Sequence, residues 1–324
     1  MISPDFILAG YERGGTTLLS ELFRANGYES GFECGVLMAR TPPEFPKIQP
    51  YWDNMTKYWP LSAESLNEAV QGDFAAFYNS VFSQAFPNHS GGFFDKTPKY
   101  MEVLGQSLHR APFVRGAVVI HRDPRAVFVS VSKRLKPAQD IVATIEQHFN
   151  QLVSNYISYF VGCIAHIDRP NVLFVPFEEL VSRQQTWLRV LGYFTGKAPF
   201  LPLSAPSRFE NVTSAEMDIE KVIEFDGLLP EALQRRILKA TELASLFFAG
   251  PVERARHGQV WQDRHGLAKE RLGQFGLAAT NVNVDGVYFE PLTYLLRYFD
   301  VLNSGLSPVD HYIRHGRGEN RRPA

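Results

Sequence analysis

Three short apolar runs punctuate the chain without polar alternation: Phe6-Ile-Leu-Ala9, Gly116-Ala-Val-Val-Ile120 and Val172-Leu-Phe-Val175. A strand that is apolar on both faces belongs inside a parallel sheet covered on both sides. Each run leads into a turn and then into apolar residues at helical spacing. Ala9 is followed by Gly10-Tyr-Glu-Arg-Gly-Gly-Thr16 and a predicted helix from Thr17 to Asn26, with Gly27 as its stop. Ile120 is followed by His121-Arg-Asp-Pro124 and a predicted helix to about Leu135, and Val175 by one predicted helix over Phe177–Phe194. Tyr28–Phe32 reads as a further apolar strand segment and Phe93-Phe94 as a brief strand. Helical patterns cover Ala63 to Phe86 and roughly Gln139–Ile167. Strands alternating with helices predict an α/β fold: a three-layer sandwich around a central parallel sheet with right-handed crossovers. Such sheets bind ligands at the carboxyl ends of their strands. Gly10–Thr17, Asp95–Tyr100 and His121–Arg125 all fall at such ends.

Two stretches depart from the alternation. Residues 38–60 hold five prolines and the aromatics Phe45, Tyr51, Trp52, Tyr58 and Trp59, which predicts a long structured loop of functional use. Thr97 followed by Pro98 predicts an N-cap and a first helical residue. From about Val282 the pattern becomes aromatic, in Tyr288-Phe-Glu-Pro291, Tyr294 to Val301 and Pro308 to Gly316. The expected organisation is one large domain over 1–281 and a small, aromatic-rich helical module over 282–324.

Composition narrows the function. Hydrophobic residues make up 45% and charged residues 21%, as expected for a folded chain. The formal net charge of −1 gives no global attraction to nucleic acid or to anionic membrane. Charge is uneven locally: Arg110 to Lys136 holds seven Lys/Arg and one acid, Asp123. That run reads either as a solvated helix face or, because a buried strand feeds it, as an anion site. Two distant cysteines, Cys34 and Cys163, make neither a disulfide framework nor a zinc spacing. With no secretory pattern at the amino terminus and no apolar run near the ~20 residues of a membrane span, a cytoplasmic location is expected.

The turn Gly10-Tyr-Glu-Arg-Gly-Gly-Thr-Thr17 has the spacing of a nucleotide phosphate loop, but Thr16 stands where ATP and GTP loops carry lysine. Backbone N–H groups and the helix N-terminus can still cradle a phosphate. Thr16 and Thr17 offer hydroxyl donors and Arg13 a positive charge. The alternative is an ordinary glycine-rich strand–helix turn.

Arg13-Gly14-Gly15-Thr16-Thr17 resembles, position by position, the 5′-phosphosulfate loop of sulfotransferases that use 3′-phosphoadenosine-5′-phosphosulfate (PAPS). His121-Arg122-Asp123-Pro124, with Ser130 eight residues after Arg122, is similar to that family's 3′-phosphate site. Arg presents a planar fork to phosphate beside a helix N-terminus. Asp95-Lys96-Thr97-Pro98-Lys99-Tyr100 is similar to a segment of glycan sulfotransferases whose lysine serves catalysis. Arg256-His257-Gly258, with Trp261 nearby, resembles the motif closing over the 3′-phosphate, with His for Lys and a downstream Gly missing. The tail resembles a module of bacterial surface-polysaccharide proteins.

The resemblance implies sulfuryl transfer from PAPS to a hydroxyl or amine of an acceptor, a glycan above all, without a metal. It implies that Gly14, Gly15, Thr16, Thr17, Arg122, Ser130, Arg256 and Gly258 bind the nucleotide. Arg13 and Lys96 would stabilise the leaving group, and Glu33 or else His121 would be the base. Two other readings stay open: a non-catalytic PAPS- or glycan-binding protein of the same fold, and a kinase with an unusual phosphate loop.

Overall fold

The computed structural model describes residues 2–135, 140–203, 220–244, 266–277, 282–289, 291–319 and 321. Five parallel strands form the sheet: β1 (Phe6–Gly10), β2 (Tyr28–Glu29), β3 (Gly92–Lys96), β4 (Gly116–His121) and β5 (Val172–Pro176). Their order is β2-β3-β1-β4-β5. The chain runs from β1 outward to β2, back through β3, and then crosses β1 to reach β4. The strand order therefore reverses at β1, and a crevice opens there beyond the carboxyl ends.

Both faces of the sheet are covered, which explains the unbroken apolar runs. Ile7, Ala9, Ala117 and Val119 join one core, while Phe6, Leu8, Val118 and Ile120 join the other. Phe6 to Ala9 and Ala117 to Ile120 are almost wholly buried. On the first face lie α4 (Phe74–Ala85), α5 (Leu104–Arg110), α6 (Pro124–Leu135) and α7 (Ile141–Ile164). On the second lie α1 (Thr16–Ala25), α8 (Phe177–Ser182) and α9 (Gln184–Thr195).

Several elements differ from the sequence reading. The strand expected over 28–32 stops at Glu29 because side chains take the groups that would extend the ladder. Glu29 Oε1 accepts from the Ser30 N–H at 2.8 Å, and Arg24 Nη2 donates to the Ser30 carbonyl at 2.8 Å. Residues 38–60 are structured but are not one loop. A 3₁₀ turn over Pro42–Lys47 leads into helix α2 (Tyr51–Tyr58), and prolines open the turn, where a missing N–H costs nothing. The helix expected over 177–194 is two helices, broken where Arg183 takes φ −127° and ψ 44°.

Thr97 precedes a 3₁₀ turn (Pro98–Met101) with Pro98 first, yet its hydroxyl does not cap that turn. It donates instead to Asp95 Oδ1 at 3.2 Å and accepts from the Gly35 N–H at 3.0 Å. Tyr78 and Tyr100 both donate their hydroxyls to Asp95 Oδ2, at 2.6 and 2.7 Å. The Leu37 N–H in turn donates to the Tyr100 oxygen at 3.2 Å. Asp95 is fully buried, and burial pushes its pKa up against the opposing pull of these hydrogen bonds. One carboxyl thus ties the segment around Gly35 to the end of β3.

The chain divides into two compact units, Met1–Gly250 and Pro251–Ala324. That division falls earlier than residue 281, because Ala268 and Leu272 pack with Phe289, Tyr294, Leu295 and Val301 in the second unit's own core. The second unit is not purely helical. It holds an antiparallel hairpin, Val282–Val284 with Val287–Phe289, besides the helices Pro291–Arg297 and Pro308–His311. Among the described residues no helix is long and apolar enough to cross a membrane.

Replacing Asp95 by Ala leaves two buried tyrosine hydroxyls without an acceptor. We expect a loss of about 3–5 kcal/mol in urea unfolding. Tyr78→Phe, which removes only one donor, should cost about 1–2 kcal/mol. A change below about 1 kcal/mol for Asp95→Ala would show that the network does not hold this segment.

Candidate active site

The loop after β1 is shaped by two close approaches. A side chain at Gly10 would bring its Cβ within 2.3 Å of the Ile120 carbonyl oxygen on β4. Gly15 has φ 103°, and a Cβ there would lie 2.5 Å from the Phe177 ring. The loop closes as the Gly14 N–H donates to the Tyr11 carbonyl at 2.9 Å, while the buried Tyr11 ring stacks on Tyr156 of α7 at 4.1 Å. Arg13 sits at φ 64°, which is costly for a residue with a Cβ and is typical of backbone fixed for a function.

Helix α1 begins at Thr16 with no side-chain cap and no acid in its first turn. Its first helical bond runs from the Leu19 N–H to the Gly15 carbonyl, so the N–H groups ahead of it are unused by the helix. Such a terminus favours an anion.

Sheet register brings the second motif to the first. β1 pairs with β4 from Phe6↔Gly116 to Gly10↔Ile120, so Arg122 emerges beside the loop. Arg122 Nη1 donates to the Arg13 carbonyl at 3.2 Å, and Nη2 to the Lys221 carbonyl at 2.6 Å. Its guanidinium carbon lies 4.4 Å from the Phe177 ring centroid. Arg122 is only 6% exposed, and its Nε is buried without a hydrogen-bond partner. Burial is the main cause lowering its pKa; Glu178, Glu224 and Asp123 oppose it. Arg13 Nε donates to Ser130 Oγ at 3.2 Å, across 117 residues of sequence. Arg13, Arg122 and Ser130 are therefore one cluster. Among the described residues Arg13 has no carboxylate partner; burial, then Arg134, lower its pKa. An uncompensated, partly dry guanidinium beside a free helix N-terminus is a site for an anion.

Asp123, the lone acid of the basic run, is neutralised by Arg125 through contacts of 3.0 and 2.7 Å. Below it lies Glu178, a residue the sequence reading missed. Glu178 Oε1 accepts from the Asp123 N–H at 2.7 Å, while Oε2 is buried without a partner. Burial, then repulsion from Asp123, pushes its pKa up to about 7. Its place two residues beyond β5, as Asp123 lies two residues beyond β4, was the available signal.

On the other flank, Leu8 pairs with Lys96 across β1 and β3, which sets Lys96 beside the start of the loop. Lys96 Nζ donates to Glu33 Oε1 at 2.9 Å and lies 5.1 Å from the Phe32 ring centroid. Glu33, at φ 30°, projects from the segment that Asp95 anchors. Lys99 pairs with Glu102 at 3.6 Å. His121 is buried at the end of β4. The structure thus groups Arg13, Arg122 and Ser130 on one side and Glu33 with Lys96 on the other. Arg256, His257, Gly258 and Trp261 lie outside the described residues. Among the described residues no group of three His, Cys, Asp or Glu could hold a metal ion.

The model of a sulfotransferase family matches residues 4–198. The chain is also similar to solved structures of sulfotransferases. One is the sulfotransferase domain from the Synechococcus PCC 7002 olefin synthase, at 17% identity and TM-score 0.46, covering 75% of this chain and 95% of that one. Another is sulfotransferase STF1 from Mycobacterium tuberculosis H37Rv, at 15% identity and TM-score 0.41, covering 74% and 77%. A third is a sulfotransferase from Alicyclobacillus acidocaldarius, at 15% identity and TM-score 0.40, covering 75% and 95%. No curated protein sequence matches the chain.

The raised Glu178 pKa sets a pH dependence. A carboxyl that holds its proton more tightly when folded stabilises the fold fully below the ordinary glutamate range, and that contribution is lost as pH rises through about 7. Between pH 4.5 and 8 wild type should lose on the order of 2–3 kcal/mol relative to Glu178→Gln. Parallel stability–pH curves for the two proteins would contradict this.

Proposed function

Because the chain belongs to the sulfotransferase family, we propose that it moves a sulfuryl group from PAPS to a hydroxyl of a glycan acceptor. The observation that carries the donor assignment is the Arg13–Ser130–Arg122 cluster beside the uncapped N-terminus of α1. The fit to a nucleotide with phosphates at both ends rests on two features. Arg122 holds a buried Nε with no partner, and the N-terminus of α1 has no side-chain cap. In this reading the N–H groups of Gly15 to Thr17 and the hydroxyls of Thr16 and Thr17 hold the 5′-phosphosulfate, while the Gly14 N–H closes the loop on the Tyr11 carbonyl. Arg122 and Ser130 hold the 3′-phosphate, and Arg13 lies between the two. The chemistry belongs to the first unit.

In the transfer, the acceptor oxygen bonds to sulfur as the bond from sulfur to the bridging phosphate oxygen breaks. Lys96 donates to that oxygen as it gains charge, and Arg13 adds a second cation. Glu33 takes the proton of the acceptor hydroxyl. The Lys96–Glu33 ion pair, 2.9 Å long, holds the two side chains next to each other, where these roles require them. The glycan reading is supported by the exposed pair Phe32 and Tyr58, packed edge to face at 5.2 Å beside Lys96. Aromatic faces suit the apolar faces of sugar rings.

Arg122→Ala should weaken binding of 3′-phosphoadenosine-5′-phosphate (PAP) by about 2–4 kcal/mol in calorimetry. Lys96→Ala and Glu33→Gln should keep PAP affinity within a few-fold while turnover of labelled PAPS falls by roughly 10²–10⁴. Full turnover by both variants would remove that pair from the chemistry. Unchanged PAP affinity in Arg122→Ala would remove the arginine from the nucleotide site.

A further inference from the structure

The ladder between β4 and β5 reaches Ile120↔Val175 and His121↔Pro176, and contacts continue the pairing past its end. The Arg122 guanidinium carbon lies 4.4 Å from the Phe177 ring centroid, and the Asp123 N–H donates to Glu178 Oε1 at 2.7 Å. Glu178 is therefore fixed to the turn that carries Arg122. Glu178 and Arg122 are 1% and 6% exposed. Each keeps one buried polar atom without a hydrogen-bond partner, Glu178 Oε2 and Arg122 Nε. Glu178 Oε1 can accept from the Asp123 N–H whether the carboxyl is neutral or ionised, so that bond does not require the charge.

The other side chains around this turn are matched elsewhere. Asp123 pairs with Arg125, whose Nη1 also reaches Gln234 Oε1 at 3.4 Å. Glu224 lies on the helix Glu220–Leu228, whose Lys221 carbonyl accepts from Arg122, and it pairs with Lys133 of α6. Arg13, whose carbonyl also accepts from Arg122, turns its guanidinium to Ser130. Tyr156 of α7 donates to the Arg122 carbonyl at 2.8 Å, and Glu179 accepts from Trp187 Nε1 of α9 at 3.2 Å. Among the described residues Glu178 forms no ion pair, and a buried carboxylate with no cation of its own is costly to ionise. Burial, then Asp123, push its pKa up to about 7, against the N–H groups of Asp123 and Glu178 and the charge of Arg122.

We propose that Glu178 is a positioning residue acting through Arg122: it anchors the Arg122 turn, and it takes up a proton from solvent when a phosphate becomes the counter-charge of Arg122. An anion brought to Arg122 removes the compensation that Glu178 shares and repels its charged form. Binding therefore favours the protonated carboxyl, and by linkage nucleotide affinity falls as pH rises through neutrality. The inference rests on the proposed 3′-phosphate role of Arg122 and adds to it a pH control of donor binding and product release.

The test is calorimetry of PAP and AMP binding from about pH 5.5 to about pH 8.5, for wild type and Glu178→Gln. Gln keeps an acceptor for the Asp123 N–H and removes the titration, so the two proteins should bind PAP equally at the acid end. At the alkaline end Glu178→Gln should bind PAP about five- to thirtyfold more tightly than wild type, and AMP should show no such divergence. The 3′-phosphate has its own pKa of about 6, but it titrates alike against both proteins. A second measurement needs no variant: at pH about 7.5 wild type should take up protons on binding PAP, read from the dependence of the binding enthalpy on the buffer. Parallel PAP affinity curves for the two proteins overturn the proposal, as does PAP binding to wild type without proton uptake; both leave the nucleotide assignment standing if PAP still outbinds AMP. PAP that binds no more tightly than AMP at any pH sinks the reading beneath it.

Discussion

The parallel ladder between β1 and β4 is the constraint on which the site depends. It runs from Phe6↔Gly116 to Gly10↔Ile120, and at its end Gly10 lies too close to the Ile120 carbonyl for any side chain. That contact fixes where the loop after β1 leaves the sheet and where Arg122 emerges beside it. A slip of one residue would exchange the two faces of β1 and move Ile7 and Ala9 out of one core into the other. Burial of these strands keeps the register, and the register makes the site.

Charge is then distributed unequally across the crevice. The flank holding Arg13 and Arg122 is cationic and only partly compensated, since Arg125 takes up Asp123 and Glu178 is held towards its neutral form by burial. The opposite flank is nearly balanced, with Lys96 against Glu33 and Lys99 against Glu102. Of these two pairs the first matters more. Lys96 and Glu33 are 8% and 22% exposed at their side chains, whereas Lys99 is 45% exposed and its pair is worth little in water. The crevice thus has a cationic side and a nearly balanced side.

Much of this was legible in the sequence, for local reasons. The strands β1, β4 and β5 announce themselves because both of their faces are buried. The positions of Arg13 to Thr17 and of Arg122 just beyond strand ends were legible because a strand end, a turn and a helix start are consecutive in the chain. Contacts set by register were not legible. Nothing local links Arg13 to Ser130, or Lys96 to Glu33. Side-chain competition for the backbone ended β2 early, through Arg24 and Glu29, and no apolar pattern encodes that. The 38–60 segment hid a helix behind its prolines, and the second unit's start was hidden because Ala268 and Leu272 precede the aromatic shift. Glu178 escaped notice because a single acid acquires meaning only from the groups around it.

The central claim is that the two loops at the ends of β1 and β4 form one site for a nucleotide phosphorylated at both its 3′ and 5′ ends. The most direct measurement is the affinity of the purified protein for PAP, AMP and ATP by calorimetry in the presence of a chelator. PAP should bind about a hundredfold or more tightly than AMP, because only PAP engages both loops, and ATP should not match PAP. Equal affinities for PAP and AMP, or tighter binding of ATP than of PAP, would contradict it.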